Sequence, residues 1–249
     1  MSLKRQGQLQ CQNFLFLKRS FLKEGIFVLM AQPGLCKLRG LALRKNKLNI
    51  KMKILHLISS PQGEASISIK LGNAIVEKLM QANPDSEVTV RNLTEQPYPH
   101  LQASHITSFF TPAEFFGPEH QEGARLSDAA IAQVLDTDVL VIGAPMYNYG
   151  IHTSLKSWID QVVRVQKTVS FSESGSQGLI VGKKIYIAIT TGAVFTEGYY
   201  KQFDFIEPYL RAVFALIGIT DVTVYRAEGL NIPGVRETAF EKAVESIAV

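Results

Sequence analysis

The sequence predicts an α/β protein built on a doubly wound, five-stranded parallel sheet in the order 2-1-3-4-5. Two observations carry this. Short, nearly unbroken apolar runs recur through residues 52–249, the pattern of strands buried on both faces. Segments with helical spacing alternate with those runs, and parallel neighbours need such crossovers.

The first run, Lys53-Ile54-Leu55-His56-Leu57-Ile58, stops at Ser59-Ser60-Pro61. A helix over about 66–82 follows, with Ile69, Asn73, Val76 and Met80 near one helical period, and Asn83-Pro84 closes it. Residues 87–93 alternate as a second strand. Residues 94–124, with Pro97, Pro99 and Phe109, Phe110, Phe115 and Phe116, read as irregular. A helix over 126–135 is expected next, with Ser127 as its cap. Residues 138–145 form the clearest buried strand, followed by a helix over about 154–165. A hairpin is expected over 168–182, with strands at 169–171 and 179–181 around Glu173-Ser174-Gly175. Strands over 184–190 and 221–225 and helices over 207–217 and 236–247 complete the pattern.

Charge divides the chain. Residues 1–51 hold eleven Lys/Arg against the single acid Glu24, a balance of +10, and both cysteines, Cys11 and Cys36. The remainder carries 15 Lys/Arg against 21 acids, or −6. Four readings compete for this basic leader. The apolar pieces 14–17 and 26–30 are short and split by Lys18-Arg19 and Lys23-Glu24, unlike a secretory signal. Only Ser2 and Ser20 supply the serine of a transit peptide. A basic arm for nucleic acid lacks interleaved aromatics. The reading adopted is a start codon placed too early, with residues 52–249 as the working domain. No apolar stretch reaches a membrane span, and two cysteines make neither a disulfide framework nor a zinc site. His56 sits in a strand, while His100, His105, His120 and His152 are scattered, so no metal and no catalytic histidine are expected. Lys156 and Trp158 read as structural.

In a sheet of this order the ligand crevice lies outside the carboxyl ends of strands 1 and 3. That selects three loops. The first, residues 59–68, has neither GxxxxGK[ST] nor GxGxxG. It sets Ser60, Ser66 and Ser68 at a strand end and a helix start, which suits either a plain N-cap or a phosphate cradle. The second, Ala144-Pro145-Met146-Tyr147-Asn148-Tyr149-Gly150, joins a thioether, two aromatics and an amide, a set that packs a flat ring. It also suits simple coverage of the strand end. The third, Thr190-Thr191-Gly192-Ala193, again pairs hydroxyls with small residues.

Ile58-Ser59-Ser60 and Ala144-Pro145-Met146-Tyr147-Asn148-Tyr149, together with Ser154-Leu155-Lys156, Gly178-Leu179 before Gly182-Lys183-Lys184, Gly218-Ile219-Thr220-Asp221-Val222 and Ala227-Glu228-Gly229, resemble the FMN-dependent NADH-azoreductases, or NADH:quinone oxidoreductases, of the flavodoxin-like superfamily. The resemblance covers residues 52–249. It implies that Ser60, Ser66, Ile67 and Ser68 hold the FMN phosphate and ribityl end. Met146, Tyr147, Asn148 and Tyr149 would pack the isoalloxazine, and Thr191, Gly192 and Ala193 would approach its pyrimidine edge. Tyr149, Phe171 and Phe195 would line the substrate pocket, Phe171 from the other subunit of a homodimer. Two positions depart from the family: Ile67 stands where a polar residue is common, and the third loop is shorter and lacks an arginine. The activity implied is cytoplasmic two-electron, ping-pong reduction of quinones by NADH, with reductive cleavage of aromatic azo compounds to amines. Nucleic acid and membrane are not expected partners. The alternative is a flavodoxin-like electron carrier that binds FMN without oxidising NADH directly.

Overall fold

Residues 51–249 are described by the computed structural model, so the leader reading, Lys51 apart, falls outside the described residues. Five parallel strands form the sheet: β1 (Lys53–Ile58), β2 (Glu87–Asn92), β3 (Val139–Pro145), β6 (Lys184–Thr190) and β7 (Asp221–Ala227). Their order is β2-β1-β3-β6-β7, which is the expected 2-1-3-4-5 once the hairpin strands β4 (Val169–Ser172) and β5 (Gly175–Gly178) are set aside.

Side-chain alternation along each strand separates two cores. Ile54, Val139, Val141, Tyr186 and Ala188 face α1 (Ile67–Ala82) and α6 (Arg236–Glu245). Leu55, Leu57, Leu140, Ile142, Ile185 and Ile187 pack with Leu155, Trp158 and Phe214 of α4 (Thr153–Val162) and α5 (Ile206–Leu216). All seven residues of β3 are buried, which explains its unbroken apolar run.

The segment read as irregular contains helix. α2 spans Ala103–Phe110, a 3₁₀ turn spans Ala113–Phe115, and α3 runs Pro118–Leu135, eight residues longer at its start than expected. Its first turns, Glu119-His120-Gln121-Glu122-Gly123, carry no apolar stripe, so periodicity cannot reveal them. Pro118 suits the first helical turn. Ser127 is not a cap: it is buried in mid-helix, where its Oγ donates to the Gln161 carbonyl at 2.6 Å. The second hairpin strand is 175–178, not 179–181. Ser172 pairs with Gly175 across a two-residue turn, and Ile180 leaves the hairpin to enter the core, its N–H bonded to the Ile217 carbonyl.

Three histidines serve helix starts. His105 Nδ1 and His120 Nδ1 accept the N–H of Gln102 and Gly117, each at 3.0 Å, and His152 Nδ1 accepts that of Ser154. His56 differs. It is buried on β1, its Nε2 has no hydrogen-bond partner among the described residues, and a Cβ on Gly72 of α1 would lie 2.6 Å from that nitrogen. Glycine at 72 is what lets α1 seat against the ring.

Burial pushes the His56 imidazole down to about 4 from its ordinary 6.5. The unfolded chain therefore takes up a proton that the folded chain refuses, and stability falls as pH drops below 6.5. Urea unfolding is expected to show roughly 2 kcal/mol lost from this group between pH 7 and pH 5. His56→Leu should remove that part of the acid sensitivity, and equal pH slopes in the two proteins would refute the assignment.

Candidate functional site

The carboxyl ends of β1, β3, β6 and β7 meet at one edge of the sheet. Ser59 Oγ donates to the Gly143 carbonyl at 2.6 Å and ties the ends of β1 and β3 together. Beyond it the chain makes a 3₁₀ turn (Gly63–Ala65) and enters α1. Ser66 caps this helix: its Oγ accepts the Ile69 N–H at 3.4 Å and shares a hydrogen bond with Ser68 Oγ at 3.0 Å. The Ile67 and Ser68 N–H groups make no hydrogen bond among the described residues. They stand in the first turn of a 16-residue helix, where the macrodipole favours an anion.

After β3, Tyr147 and Gly150 exchange two backbone hydrogen bonds of 2.9 Å. The residues between them, Asn148 (φ 49°) and Tyr149 (φ 66°), both adopt left-handed backbone. That matches the two central positions of a type I′ turn, where glycine is usual, and it costs of order 1 kcal/mol per residue. The turn leaves the Asn148 and Tyr149 N–H groups free of bonds among the described residues.

The third loop is fixed from one side only. The carbonyls of Thr191, Gly192 and Ala193 accept the N–H groups of Leu230, Asn231 and Gly229, while the N–H groups of Gly192 and Ala193 make no hydrogen bond among the described residues. A Cβ on Gly192 would meet Asn231 Nδ2 at 2.4 Å, so a larger residue there would have to displace the Asn231 amide.

Two adjoining cavities follow from this arrangement. The inner one, about 240 Å³, is lined by Ser66, Ile67, Tyr147, Thr191 and Leu230 among others. The outer, about 400 Å³, is lined by Asn148, Tyr149, Ala193, Phe195, Tyr200 and Ile232. Met146, Gly192 and Asn231 line both and mark where they join. Ser60 and Ser68 are buried in the same first loop and helix start, without lining a cavity. Phe171 is not brought to the site: it lies on β4, 61% exposed, and lines neither cavity. Leu230, Asn231, Ile232 and Tyr200 join the site although sequence reasoning did not single them out. The one available signal was that β7 also ends at this edge.

No Asp, Glu, Lys, Arg or His lines either cavity. Charge sits behind the wall. Arg226, at the end of β7, bonds Asp204 at 2.5 Å, Glu207 at 2.6 Å and Glu228 at 3.3 Å. Glu228 in turn accepts the Phe195 N–H at 3.0 Å and the Thr196 hydroxyl at 2.6 Å. Burial alone would raise the Glu207 carboxyl, but hydrogen bonds from Arg226 and Arg211 hold it below the usual carboxylate range.

The donor set is thus neutral: buried hydroxyls and a free helix start at the inner end, free N–H groups of two loops beside a flat aromatic-lined space at the outer end. The chemistry of this donor set fits an FMN: unbonded N–H groups and hydroxyls suit a phosphate, and the aromatic-lined space suits a flat ring.

Such a site at the switch point of a 2-1-3-4-5 sheet defines a flavodoxin-like protein, and a family model described as flavodoxin-like fold matches residues 52–249. An FMN-dependent NADH:quinone oxidoreductase of Azospirillum brasilense is 44% identical over 199 residues, 79% of this chain and 96% of its own. That of Mesorhizobium japonicum is 36% identical over 197 residues, 79% of this chain and 94% of its own. A crystal structure of an azoreductase from Bacillus anthracis strain Sterne, 26% identical, superposes with a TM-score of 0.73 over 78% of this chain and 95% of its own. The chain belongs to the FMN-dependent NADH:quinone oxidoreductase family.

Removing the Arg226 guanidinium leaves three carboxylates facing one another. Arg226→Ala is expected to lower stability by roughly 3–5 kcal/mol in urea unfolding, with partial recovery in Arg226→Lys. A loss below 1 kcal/mol would show that the network does not hold this wall.

Proposed function

We propose that the protein is an FMN-dependent NADH:quinone oxidoreductase that also cleaves aromatic azo compounds reductively to amines, working as a cytoplasmic homodimer on residues 52–249. The observation that carries the reading is the convergence of unbonded N–H groups from three strand-end loops on two joined cavities that no charged side chain lines.

Bound FMN supplies the two-electron chemistry between NADH and the acceptor. The chain's own residues do the rest. Ser60, Ser66, Ile67 and Ser68 hold the phosphate and ribityl end by hydroxyls and the helix start. Met146, Tyr147, Asn148 and Tyr149 pack the ring. The N–H groups of Asn148, Tyr149, Gly192 and Ala193 face its edge, where they are placed to stabilise negative charge as it develops. Tyr149 and Phe195 offer aromatic faces to a flat acceptor. Phe171, exposed on the hairpin, serves the other subunit's pocket. With no carboxyl, amino or imidazole group in the lining, proton delivery falls to water.

No helix of the described residues is long and apolar enough to cross a membrane.

The test is a visible spectrum of the purified protein, taken through anaerobic addition of NADH and then of benzoquinone. Flavin bands that bleach with NADH and return with quinone are the expected outcome. Bands that NADH cannot bleach would favour an electron carrier, and a protein that neither carries nor takes up FMN would end the proposal. Ser66→Asp keeps a good helix cap but sets a carboxylate against the phosphate. It is expected to weaken FMN binding more than tenfold in a fluorescence titration, with the fold intact by circular dichroism.

A further inference from the structure

We infer that the 3₁₀ segment Tyr199–Phe203 forms, with Tyr149 and Phe195, a fixed aromatic wall that selects uncharged two-ring acceptors over single-ring and anionic ones; this rests on the outer cavity being the acceptor site.

Tyr149, Phe195 and Tyr200 line that cavity, and Tyr199 and Phe203 pack against them from behind. Phe195 lies 6.1 Å from Tyr149 and 5.6 Å from Tyr200, centroid to centroid. Tyr149 stacks on Phe203 at 5.3 Å and 25°. Tyr199 closes the set at 5.4 Å from Tyr200 and 5.7 Å from Phe203. Phe195 is only 4% exposed, whereas Tyr149 and Tyr200 are 43% and 42% exposed. The wall thus runs from a buried ring outward to two rings at the rim.

The wall is clamped at both ends by one guanidinium. Glu228, bonded to Arg226, fixes the Phe195 N–H and the Thr196 hydroxyl. Asp204, also bonded to Arg226, accepts the N–H groups of Ile206 and Glu207 and ends the segment at the start of α5. The rings are therefore set before any acceptor arrives, and a second ring on the acceptor gains a stacking face without ordering a loop. An anionic substituent entering the same space finds no charged partner in the lining and loses hydration.

The test uses the FMN-loaded protein and redox-inert probes: 2-naphthamide, benzamide and naphthalene-2-sulfonate, with dissociation constants read from the change in flavin absorbance. In the wild-type protein 2-naphthamide should bind about tenfold more tightly than either other probe. Tyr200→Leu should bring that advantage over benzamide to about threefold or less, and Tyr200→Phe should keep it. In turnover, Tyr200→Leu should raise KM for a naphthoquinone several-fold more than KM for benzoquinone. An unmoved probe ratio in Tyr200→Leu overturns the inference. So does a ratio that moves only because the variant changes its sedimentation, which would make the segment a contact between subunits. Failure of the wild-type protein to bind FMN at all would instead remove the reading on which the inference rests, and the two failures are distinguished by the flavin bands.

Discussion

Burial of one sheet between two helical layers is the constraint from which the rest of this molecule follows. Because both faces of β1, β3 and β6 are covered, their backbone groups are satisfied laterally, strand to strand, along the whole ladder. Only at the strand ends does the backbone leave the ladder. At the carboxyl edge, four consecutive strands in space release their chains into loops whose N–H groups have no partner in the ladder. The site is composed of those groups. It needs no special residues so much as loops short and kinked enough to keep the groups exposed: a helix start after β1, a left-handed turn after β3, and a glycine after β6.

The second organising element is the Arg226 cluster. A buried guanidinium needs several acceptors, and here these come from three places: Asp204 before α5, Glu207 within it, and Glu228 after β7. Meeting that need draws the loop after β6 and the segment before α5 onto the end of β7. The same electrostatic requirement that stabilises the fold thus also sets the aromatic rings beside the outer cavity. Packing alone would not fix them, since the outermost of these side chains face solvent.

How much of this was legible in the sequence depended on whether the signal was local. β1 and β3 stood out because strands buried on both faces are apolar at nearly every position, and the order of the sheet is the common one for five strands that alternate with helices. Met146 to Tyr149 and Thr191 to Ala193 were found because strand ends at a switch point are predictable places. The first turns of α3 escaped because they mix histidine, glutamine, glutamate and glycine without a stripe, and α2 because it is only eight residues long and its apolar Ile106 and Phe110 are exposed. Ser127 was misread because a serine before an apolar stretch has the look of a cap, and only the carbonyl of Gln161, 34 residues away, shows otherwise. Asn231 and Tyr200 were missed for the same reason. Their roles exist only through contacts across loops that follow different strands, and nothing in their own neighbourhoods announces it.

The absence of charge from the lining of both cavities bears on how the protein responds to its surroundings. A ligand held through lysine or arginine competes with dissolved ions, and its affinity falls as ionic strength rises. Dipoles of backbone N–H groups and hydroxyls are screened far less, being short-ranged and partly buried. A ligand seated here is therefore held on terms that depend little on salt, so occupancy of the site follows ligand concentration more than ionic strength.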